Sequence, residues 1–528
     1  MKSIGPILPN TEAFMIAHYF KKNEKSIVYI GKDEREITNI CLKLNWIIPD
    51  TQISLYKAWD QIPYDNVSPS KEIQIERLKT LHYLNHKNQK KNIILTTINA
   101  ITQKTLPINE LSKNFYEISK EQEIKIESLI TLLNFLGYER VSIVRDKTEF
   151  AIRGSIIDIY LSEYEKPIRI DLFDKQIENI FEFDPITQKR LKKSNINQFS
   201  INATNELILN KKKIEYFKSR FRKIFPNYRK SQVYEIFSNG IIPPGGFQYL
   251  PLFYENLSSF FDYIKDYSLI IHDDFNKLVD ERFENLNDYF TVRINSDDSF
   301  YLNPEYLYLN KNNLTQNINS FKPLKFSPFY NKNFIQSNLK KISNLSSIKK
   351  EIDFNFIKKF FEINSKEKKI IICCNSLGTM NKVSKILAEN INLYPNQIDN
   401  FSNISNSNLF ITVLKIEDSF ELNKILYLNE KTIFGYSLST KSIKNNQKNK
   451  FIFEELNKLS QGALLVHSEY GICRFNNIKK IDLNDSIHDC LELEFYDNQK
   501  LLLPVENLNY ITKYGNEDEN SINLDRLG

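Results

Sequence analysis

Two neighbouring stretches with period-two alternation decide the fold of the middle of this chain. Residues 150–159 read FAIRGSIIDI, and residues 167–174 read PIRIDLFD. In the second stretch, apolar residues at every other position define one face of a predicted strand. The opposite face carries Arg169, Asp171 and Phe173. This face is either a recognition surface or an ordinary half-exposed sheet in which the arginine pairs with a neighbouring aspartate.

Apolar strands alternate with helical segments on both sides of this region, which is typical of α/β architecture. Residues 1–115 and residues 351–445 both show this pattern, whereas residues 196–330 mix helices with turns. Residues 458–515 read as all-β and contain a predicted hairpin, LELEFYDNQKLLLP, at 491–504. The chain is therefore predicted to be an α/β multidomain protein with an all-β part near its end.

Polar stretches separate these parts. Residues 331–350 are rich in Asn, Ser and Lys, and residues 446–457 are a second polar spacer, so both are predicted linkers. Residues 516–528 form an acidic tail that ends in LDRLG. At about 150 residues per domain, 528 residues predict three to four domains.

The glycine pattern argues against nucleotide hydrolysis by this chain. A phosphate-binding loop needs closely spaced glycines, because backbone N–H groups must approach the phosphate oxygens. The chain has 13 glycines, and its one Gly-Lys pair, Gly31-Lys32, precedes Asp33 instead of Ser or Thr. Gly240 and Gly245 have a suitable spacing but lack the lysine. We expect no catalytic residue, no cofactor site and no metal site in this chain.

Charge and cysteine usage restrict the class of protein further. The net charge of +6 comes from 71 basic and 65 acidic residues, and the basic runs are short. Such runs are typical of solvated faces rather than of a nucleic-acid groove. The odd number of cysteines, five, favours a reducing compartment over a disulfide framework. With no apolar window of about 18 residues, we expect a cytoplasmic protein.

Five groups of motifs, in chain order, together resemble the bacterial transcription-repair coupling factor family. Each group is moderately specific, and their order is collinear over nearly the whole chain. They are WDQIPYDNVSP at 59–69; FAIRGSIIDI with PIRIDLFD and FDP at 183–185; VYE at 233–235 with PGG at 244–246 and LPLFY at 250–254; IEDSFE at 416–421; and VHSEYGICRF at 466–475 with LPVENL at 503–508 and KYG at 513–515.

The resemblance implies an order of domains. It makes 1–115 a degenerate UvrB-like α/β domain that has lost nucleotide binding, with 196–330 as the remainder of that module. The implied insert, 116–195, is a small UvrA-binding domain. A small α/β domain at 351–445 and a CarD-like RNA-polymerase-interacting β-barrel at 458–515 follow. The tail at 516–528 would lead to a motor that this sequence does not include.

The resemblance also implies site residues. By motif match, Arg153, Arg169 and Phe173 would bind UvrA, since arginine can bond a carboxylate twice and a phenylalanine can anchor an interface. Leu491 matches a position that contacts the β subunit of RNA polymerase. The strand carrying that contact would be Glu492, Leu493, Glu494 and Phe495. An exposed sheet edge can pair with a strand of a partner; the alternative is that Leu491 is simply core.

The function implied is that of an adaptor in transcription-coupled nucleotide excision repair. The chain would bind stalled RNA polymerase and recruit UvrA to damaged DNA, touching DNA only indirectly. ATP and magnesium would belong to the motor of the family and not to this chain. Two alternatives stay open: a stand-alone CarD-like transcription regulator, and a UvrB-like excinuclease component.

Overall fold

The computed structural model describes residues 2–85, 90–111, 115–191, 196–295, 300–329, 334–345, 352–436, 461–467, 469–483, 486–504, 511–514 and 524–526. Within these ranges the strands form four larger sheets and one two-stranded sheet. We call the larger ones the first sheet, the insert sheet, the third sheet and the C-terminal sheet, in chain order.

The first sheet has seven parallel strands drawn from both ends of the first 336 residues. From edge to edge they are Phe334–Gln336, Lys2–Gly5, Leu324–Phe326, Ser268–Ile271, Ile27–Gly31, Ile93–Thr97 and Ile53–Tyr56. Two central strands, Ile27–Gly31 and Ile93–Thr97, are buried along their whole length. This is the burial expected of a parallel sheet with helices on both faces.

The first sheet and the helices that accompany it form what we call the first module. Amphipathic spacing and capping residues explain where these helices form. The predicted helix at 12–22 is confirmed as Glu12–Lys22. The next one, Glu34–Ile47, begins after Asp33, whose carboxylate accepts a hydrogen bond from the Glu36 amide at 2.8 Å, a cap worth about 1 kcal/mol. The other helices are Lys71–Asn85, Ile98–Thr102, Ile108–Leu111, Lys211–Ile224, Gln232–Ser238, Phe275–Ile294, Pro304–Leu307 and Lys311–Ser320, with 3-10 turns at Tyr228–Lys230, Gly246–Phe253 and Phe260–Tyr263.

The insert sheet has five strands and follows the period-two stretches closely. In spatial order its strands are Gln176–Glu182, Ile168–Phe173, Ile156–Ile159, Glu149–Arg153 and Glu139–Arg140. A two-stranded sheet, Phe115–Ser119 with Gln198–Asn202, and the helix Ile126–Phe135 complete the insert. This pairing carries the insert beyond the predicted boundary at residue 195, because its last strand returns to its first.

The third sheet belongs to the small α/β domain. Its strands, in spatial order, are Lys340–Lys341, Phe420–Leu422, Ile425–Asn429, Lys369–Cys374, Leu409–Val413 and Asn396–Gln397, and its helices are Phe354–Asn364, Leu377–Ile391 and Glu430–Phe434, with a 3-10 turn at Phe401–Asn403. The linker predicted at 331–350 needs correction over its described residues. Phe334–Gln336 pairs with the first sheet and Lys340–Lys341 with the third, so backbone hydrogen bonds hold both segments.

Where the sequence predicts a small β-barrel, the described residues form a five-stranded antiparallel sheet. Its spatial order is Lys500–Pro504, Ser486–Glu494, Gly471–Leu483, Leu464–His467 and Ile511–Lys513, with a 3-10 turn at Tyr496–Asn498. The predicted hairpin is confirmed, since Leu491 stands opposite Leu503 across the two strands. The spacer predicted at 446–457 and most of the predicted tail at 516–528 lie outside the described residues.

Aromatic contacts join the third sheet to the first module. The Phe14 ring packs edge-on against Phe420 and Tyr427, with ring centroids 4.9 and 4.8 Å apart. Nearby, the Trp46 indole N–H donates to the Thr412 hydroxyl at 3.0 Å. All four aromatic side chains are buried in one cluster, so the two modules share an apolar core.

Candidate functional site

The outer face of the insert sheet is organised by one buried carboxylate, Asp158. Strand register places Asp158 opposite Ala151 on one side and opposite Arg169 on the other. The Arg169 Nε and Nη2 donate to its two oxygens at 2.5 and 2.9 Å, and Arg153 Nη2 donates to it as well. Asp158 has no exposed surface. Hydrogen bonds from the two arginines therefore replace the water that its charge would otherwise need.

Arg169 is held on several sides. Besides Asp158, it donates from Nη1 to the Gln188 carbonyl at 3.3 Å, and its guanidinium lies 4.5 Å from the centre of the Phe183 ring. The hydrogen bonds to Asp158 raise the pKa of Arg169. Only 15% of its side chain is exposed, compared with 45% for Arg153. Arg169 therefore positions the face, whereas Arg153 keeps surface that a partner can reach.

Two apolar side chains stand out on the exterior of this domain. Phe173 ends its strand with 75% of its surface exposed, and Ile186 is 89% exposed. Ile186 sits in a turn held by Asp184, whose carboxylate accepts from the amides of Ile186 and Thr187 at 3.1 and 2.7 Å. Exposed apolar side chains of this kind are suited to anchoring a protein interface.

The faces predicted for residues 167–174 are confirmed. Ile168, Ile170 and Leu172 are buried, and the alternate residues are not. The arginine pairs with an aspartate, as the alternative reading held, but the acid is Asp158 on the adjacent strand. Asp158 is a residue of this face that the sequence motifs did not single out. Its signal is an acid in an otherwise apolar strand, three positions after the turn Gly154-Ser155 that follows Arg153.

In the C-terminal sheet, the apolar residues predicted to contact RNA polymerase are buried. Leu491, Leu493 and Phe495 are at most 1% exposed and form the core of this sheet, together with Leu503 and Cys473. The strand that carries them ends at Glu494, so Phe495 lies just beyond it. These apolar side chains face the interior, where a partner does not reach them without unfolding the sheet.

Glu492 is enclosed on the other face of that strand. Its side chain is 3% exposed, and its two oxygens each lie 2.7 Å from an ammonium group, Lys479 Nζ on one neighbouring strand and Lys500 Nζ on the other. Hydrogen bonds from Lys479 and then Lys500 lower the pKa of Glu492. The carboxylate therefore links three strands.

The prediction that residues 491–495 offer a free sheet edge is wrong. Their strand lies between Gly471–Leu483 and Lys500–Pro504, so its backbone groups already pair on both sides. The edges of the described sheet are instead Ile511–Lys513 and Lys500–Pro504, and on the latter Leu502 is 43% exposed. Of these two, Lys500–Pro504 is the one that pairs with the predicted contact strand. We call this strand the outer edge strand. The hairpin was correctly predicted, but a hairpin alone does not show which of its two strands lies at the edge of the sheet.

The motif at 59–69 builds a buried junction rather than a surface. Arg77 Nε pairs with Glu206 Oε1 at 2.8 Å, and neither side chain is more than 1% exposed. Arg77 also donates to the Lys57 carbonyl at 2.6 Å, and the Trp59 indole N–H donates to Glu206. Because Glu206 follows the insert in the chain, this junction fixes the insert to the first module.

The same motif contacts the C-terminal sheet. The Tyr514 hydroxyl donates to the Asp65 carboxylate, and Arg293 Nη2 donates to the other oxygen at 2.8 Å. Burial, and then the charge of Asp65, raise the pKa of Tyr514. Val67 packs with Leu464 beside this contact. The C-terminal sheet is thus anchored on the first module.

Neither a metal-binding cluster nor a membrane-spanning helix is present among the residues that the structure describes. Within them no group of three or more His, Cys, Asp and Glu side chains is placed to hold a metal ion. None of the helices found there combines the length and the apolar composition needed to cross a bilayer.

Comparison with known proteins gives two domain matches and several relatives. Residues 116–207 match the family model of the UvrB interaction domain, and residues 459–515 match that of the CarD-like/TRCF RID domain. Relatives named transcription-repair-coupling factor include those of Rickettsia typhi, 30% identical over 529 residues, Rickettsia bellii, 28% over 523, and Escherichia coli, 23% over 538.

These similarities extend over nearly all of this chain but over only part of each relative. The matches cover 98% of the chain for both Rickettsia proteins and 99% for the Escherichia coli protein. They cover 45% of the first two relatives and 46% of the third. The chain spans somewhat less than half the length of these relatives, and within that span it is similar to transcription-repair-coupling factors.

Proposed function

We propose that this chain is the adaptor part of a transcription-repair coupling factor, acting in nucleotide excision repair. In this proposal the outer face of the insert sheet binds UvrA, and the C-terminal sheet binds the β subunit of RNA polymerase. The observation that carries it is that the two matched domains form separate sheets, each with an apolar side chain exposed. These partners place the work of the chain in the cytoplasm. Hydrolysis of ATP is no part of the proposal.

For UvrA, Phe173 is the proposed anchor and Arg153 the proposed charged contact. Phe173 offers a large apolar ring, and Arg153 has exposed surface despite its bond to Asp158. Arg169 contributes by holding the face in shape through Asp158. In this proposal Phe173 and Arg153 touch UvrA, and Arg169 positions them.

For RNA polymerase, the proposed contact is the outer edge strand. An edge strand can add a strand of the partner through main-chain hydrogen bonds, and exposed side chains then give specificity. Leu502 is the exposed apolar residue of that strand. Leu491 would act indirectly, because its buried side chain packs behind the strand, opposite Leu503.

The test is a capture assay with purified UvrA and with polymerase β, using single variants of the full chain. Phe173→Ala should weaken UvrA capture at least tenfold, about the loss of a hot-spot residue, and leave β capture unchanged. Tyr394→Ala is the matched control, since Tyr394 is 73% exposed in the small α/β domain. Unchanged UvrA capture by Phe173→Ala would remove the insert face from the proposal.

The polymerase half has its own pair of variants. Leu502→Arg should abolish β capture without changing the melting temperature, because this side chain is already at the surface. Leu377→Arg serves as its control, since Leu377 is 48% exposed at the start of a helix in the small α/β domain. Full β capture by Leu502→Arg would argue against the outer edge strand.

A further inference from the structure

A polar cavity of about 220 Å³ lies beyond the carboxyl ends of two strands of the first sheet. Residues that follow Ile53–Tyr56 and residues that follow Ile93–Thr97 form two of its walls, and the helix Phe275–Ile294 forms a third. The carboxyl ends of parallel strands are the usual place for ligand sites in α/β sheets. Neither the adaptor function nor the domain matches assign a role to this cavity.

The cavity is lined by a guanidinium without an acidic partner. Arg282 donates from Nε to the Thr102 hydroxyl at 3.3 Å and lies 5.3 Å from the centre of the Tyr308 ring. In the described part of the chain no carboxylate forms an ion pair with Arg282. Its neighbours are phenols: Tyr308, which also hydrogen-bonds to it, and Tyr289. Burial lowers the pKa of Arg282, as expected for a cation removed from water without an anion beside it.

Arg77, unlike the partly exposed Arg282, is fully buried and shows how the same protein pairs such an arginine. Burial alone would lower the pKa of Arg77, but the Glu206 carboxylate together with Tyr56 and Glu34 raises it. The Lys57 carbonyl and the Tyr56 hydroxyl accept from its two terminal nitrogens at 2.6 and 2.9 Å. Arg282 is only partly exposed and has no such acid beside it, so its site is suited to an anion from outside.

A second donor in the cavity is also unsatisfied. Gln103 is 2% exposed, and its side-chain Nε2 has no hydrogen-bond partner among the described residues. The backbone holds this residue in place, since Gln103 bridges to Tyr308 and the Thr102 carbonyl accepts from the Leu309 amide at 2.8 Å. Buried amide donors are nearly always paired, so Gln103 indicates an acceptor that arrives with a ligand.

We infer that this cavity binds a small oxyanion of the phosphate class, with Arg282 as its charge partner and the Gln103 amide as a further donor. A guanidinium can make two parallel hydrogen bonds to a phosphate, and donors on more than one wall suit a tetrahedral acceptor. The volume is below the roughly 300 Å³ at which pockets for larger ligands begin. It therefore suits inorganic phosphate or the phosphate group of a mononucleotide.

The test is isothermal titration calorimetry of the full chain with inorganic phosphate and, separately, with AMP, at an ionic strength kept constant with chloride. The wild-type chain should bind one equivalent of phosphate, and Arg282→Gln should weaken that binding at least tenfold. Arg282→Lys should fall between them, because it keeps the charge but loses the planar fork. Lys277→Gln is the control: it removes a charge from the same helix at a side chain that is 75% exposed.

Each outcome decides the inference. Tighter binding of AMP than of phosphate would identify a mononucleotide as the source of the oxyanion, and equal binding would identify free phosphate. Absence of saturable binding to the wild-type chain, or equal affinity in Arg282→Gln, would overturn the inference. If Arg282→Gln fails to fold, crystals of the wild-type chain grown with selenate give the answer. An anomalous peak beside the Arg282 guanidinium supports the site, and its absence refutes it.

Discussion

The insert sheet and the C-terminal sheet each clamp one carboxylate between two basic side chains, but with different chemistry. Asp158 is held by two arginines, and the more buried of them, Arg169, is 15% exposed. Glu492 is held by Lys479 and Lys500, which are 49% and 53% exposed. Both acids are enclosed, so the difference lies in the cations.

The contrast shows how the choice of cation sets the stiffness of a surface. The guanidinium of Arg169 forms two bonds to one acid while its flat face packs over a ring, which restricts it strongly. An ammonium group is a point charge on a flexible stem and stays hydrated. We therefore expect the insert face to be rigid and insensitive to salt, and the lysine pairs of the C-terminal sheet to respond to salt and pH.

Asp158→Asn should have the largest effect. It would remove the charge that two arginines share and leave Arg169 partly buried without an acid, at a cost of about 3–5 kcal/mol in the free energy of unfolding of the insert. Urea unfolding monitored by a probe in the insert measures this. Asp174→Asn, at an exposed turn residue, is the control and should stay within about 0.5 kcal/mol of wild type. A cost for Asp158→Asn as small as that of the control would contradict the clamp.

Arg169→Lys should have a smaller effect, since it keeps the charge but loses the second bond to Asp158 and the contact with Phe183. We expect a loss of about 1.5–3 kcal/mol, the value of one hydrogen bond to a charged group. The same urea experiment at low and high salt separates the causes. The loss should be nearly the same at both salt concentrations, because buried pairs are poorly screened. A loss that disappears at high salt would mean that the pair behaves as a surface contact.

Glu492→Gln should have the smallest effect and should depend on pH. The pKa of Glu492 is lowered from 4.5 in the folded chain, so its ionised form stabilises the fold above pH 4.5. That contribution is lost as the pH falls through the folded pKa, below 4.5. Wild type and Glu492→Gln should therefore differ in melting temperature at pH 7 and converge at lower pH. A difference that grows on acidification would show that the carboxylate is not stabilised by its lysines.

The sequence was sufficient for local structure and for which face of a strand is buried. Alternation identified the core side of Ile168–Phe173, and the turn at 497–498 identified the hairpin. It was not sufficient for strand order. Leu491 and Leu502 both occur in alternating apolar stretches, and only the pairing of their strands shows which one is interior.

Long-range partners were also beyond the sequence. Arg77 and Glu206 are 129 residues apart, and the Asp65 contact with Tyr514 spans 449 residues. A single sequence contains no periodic signal for such pairs, because each depends on the packing of whole modules. The family resemblance agrees with the two domain matches, but a motif match does not show which of its side chains are exposed and which hold the surface in shape.

The most direct test of the adaptor account is a bridging assay. Immobilised polymerase β is incubated with UvrA, with and without this chain, and retained UvrA is measured. The account predicts that UvrA is retained only when the chain is present. It also predicts that Phe173→Ala and Leu502→Arg each abolish retention, whereas Tyr394→Ala does not. If the wild-type chain binds each partner alone but never retains UvrA on polymerase β, the two sites are not used together and the adaptor account is contradicted.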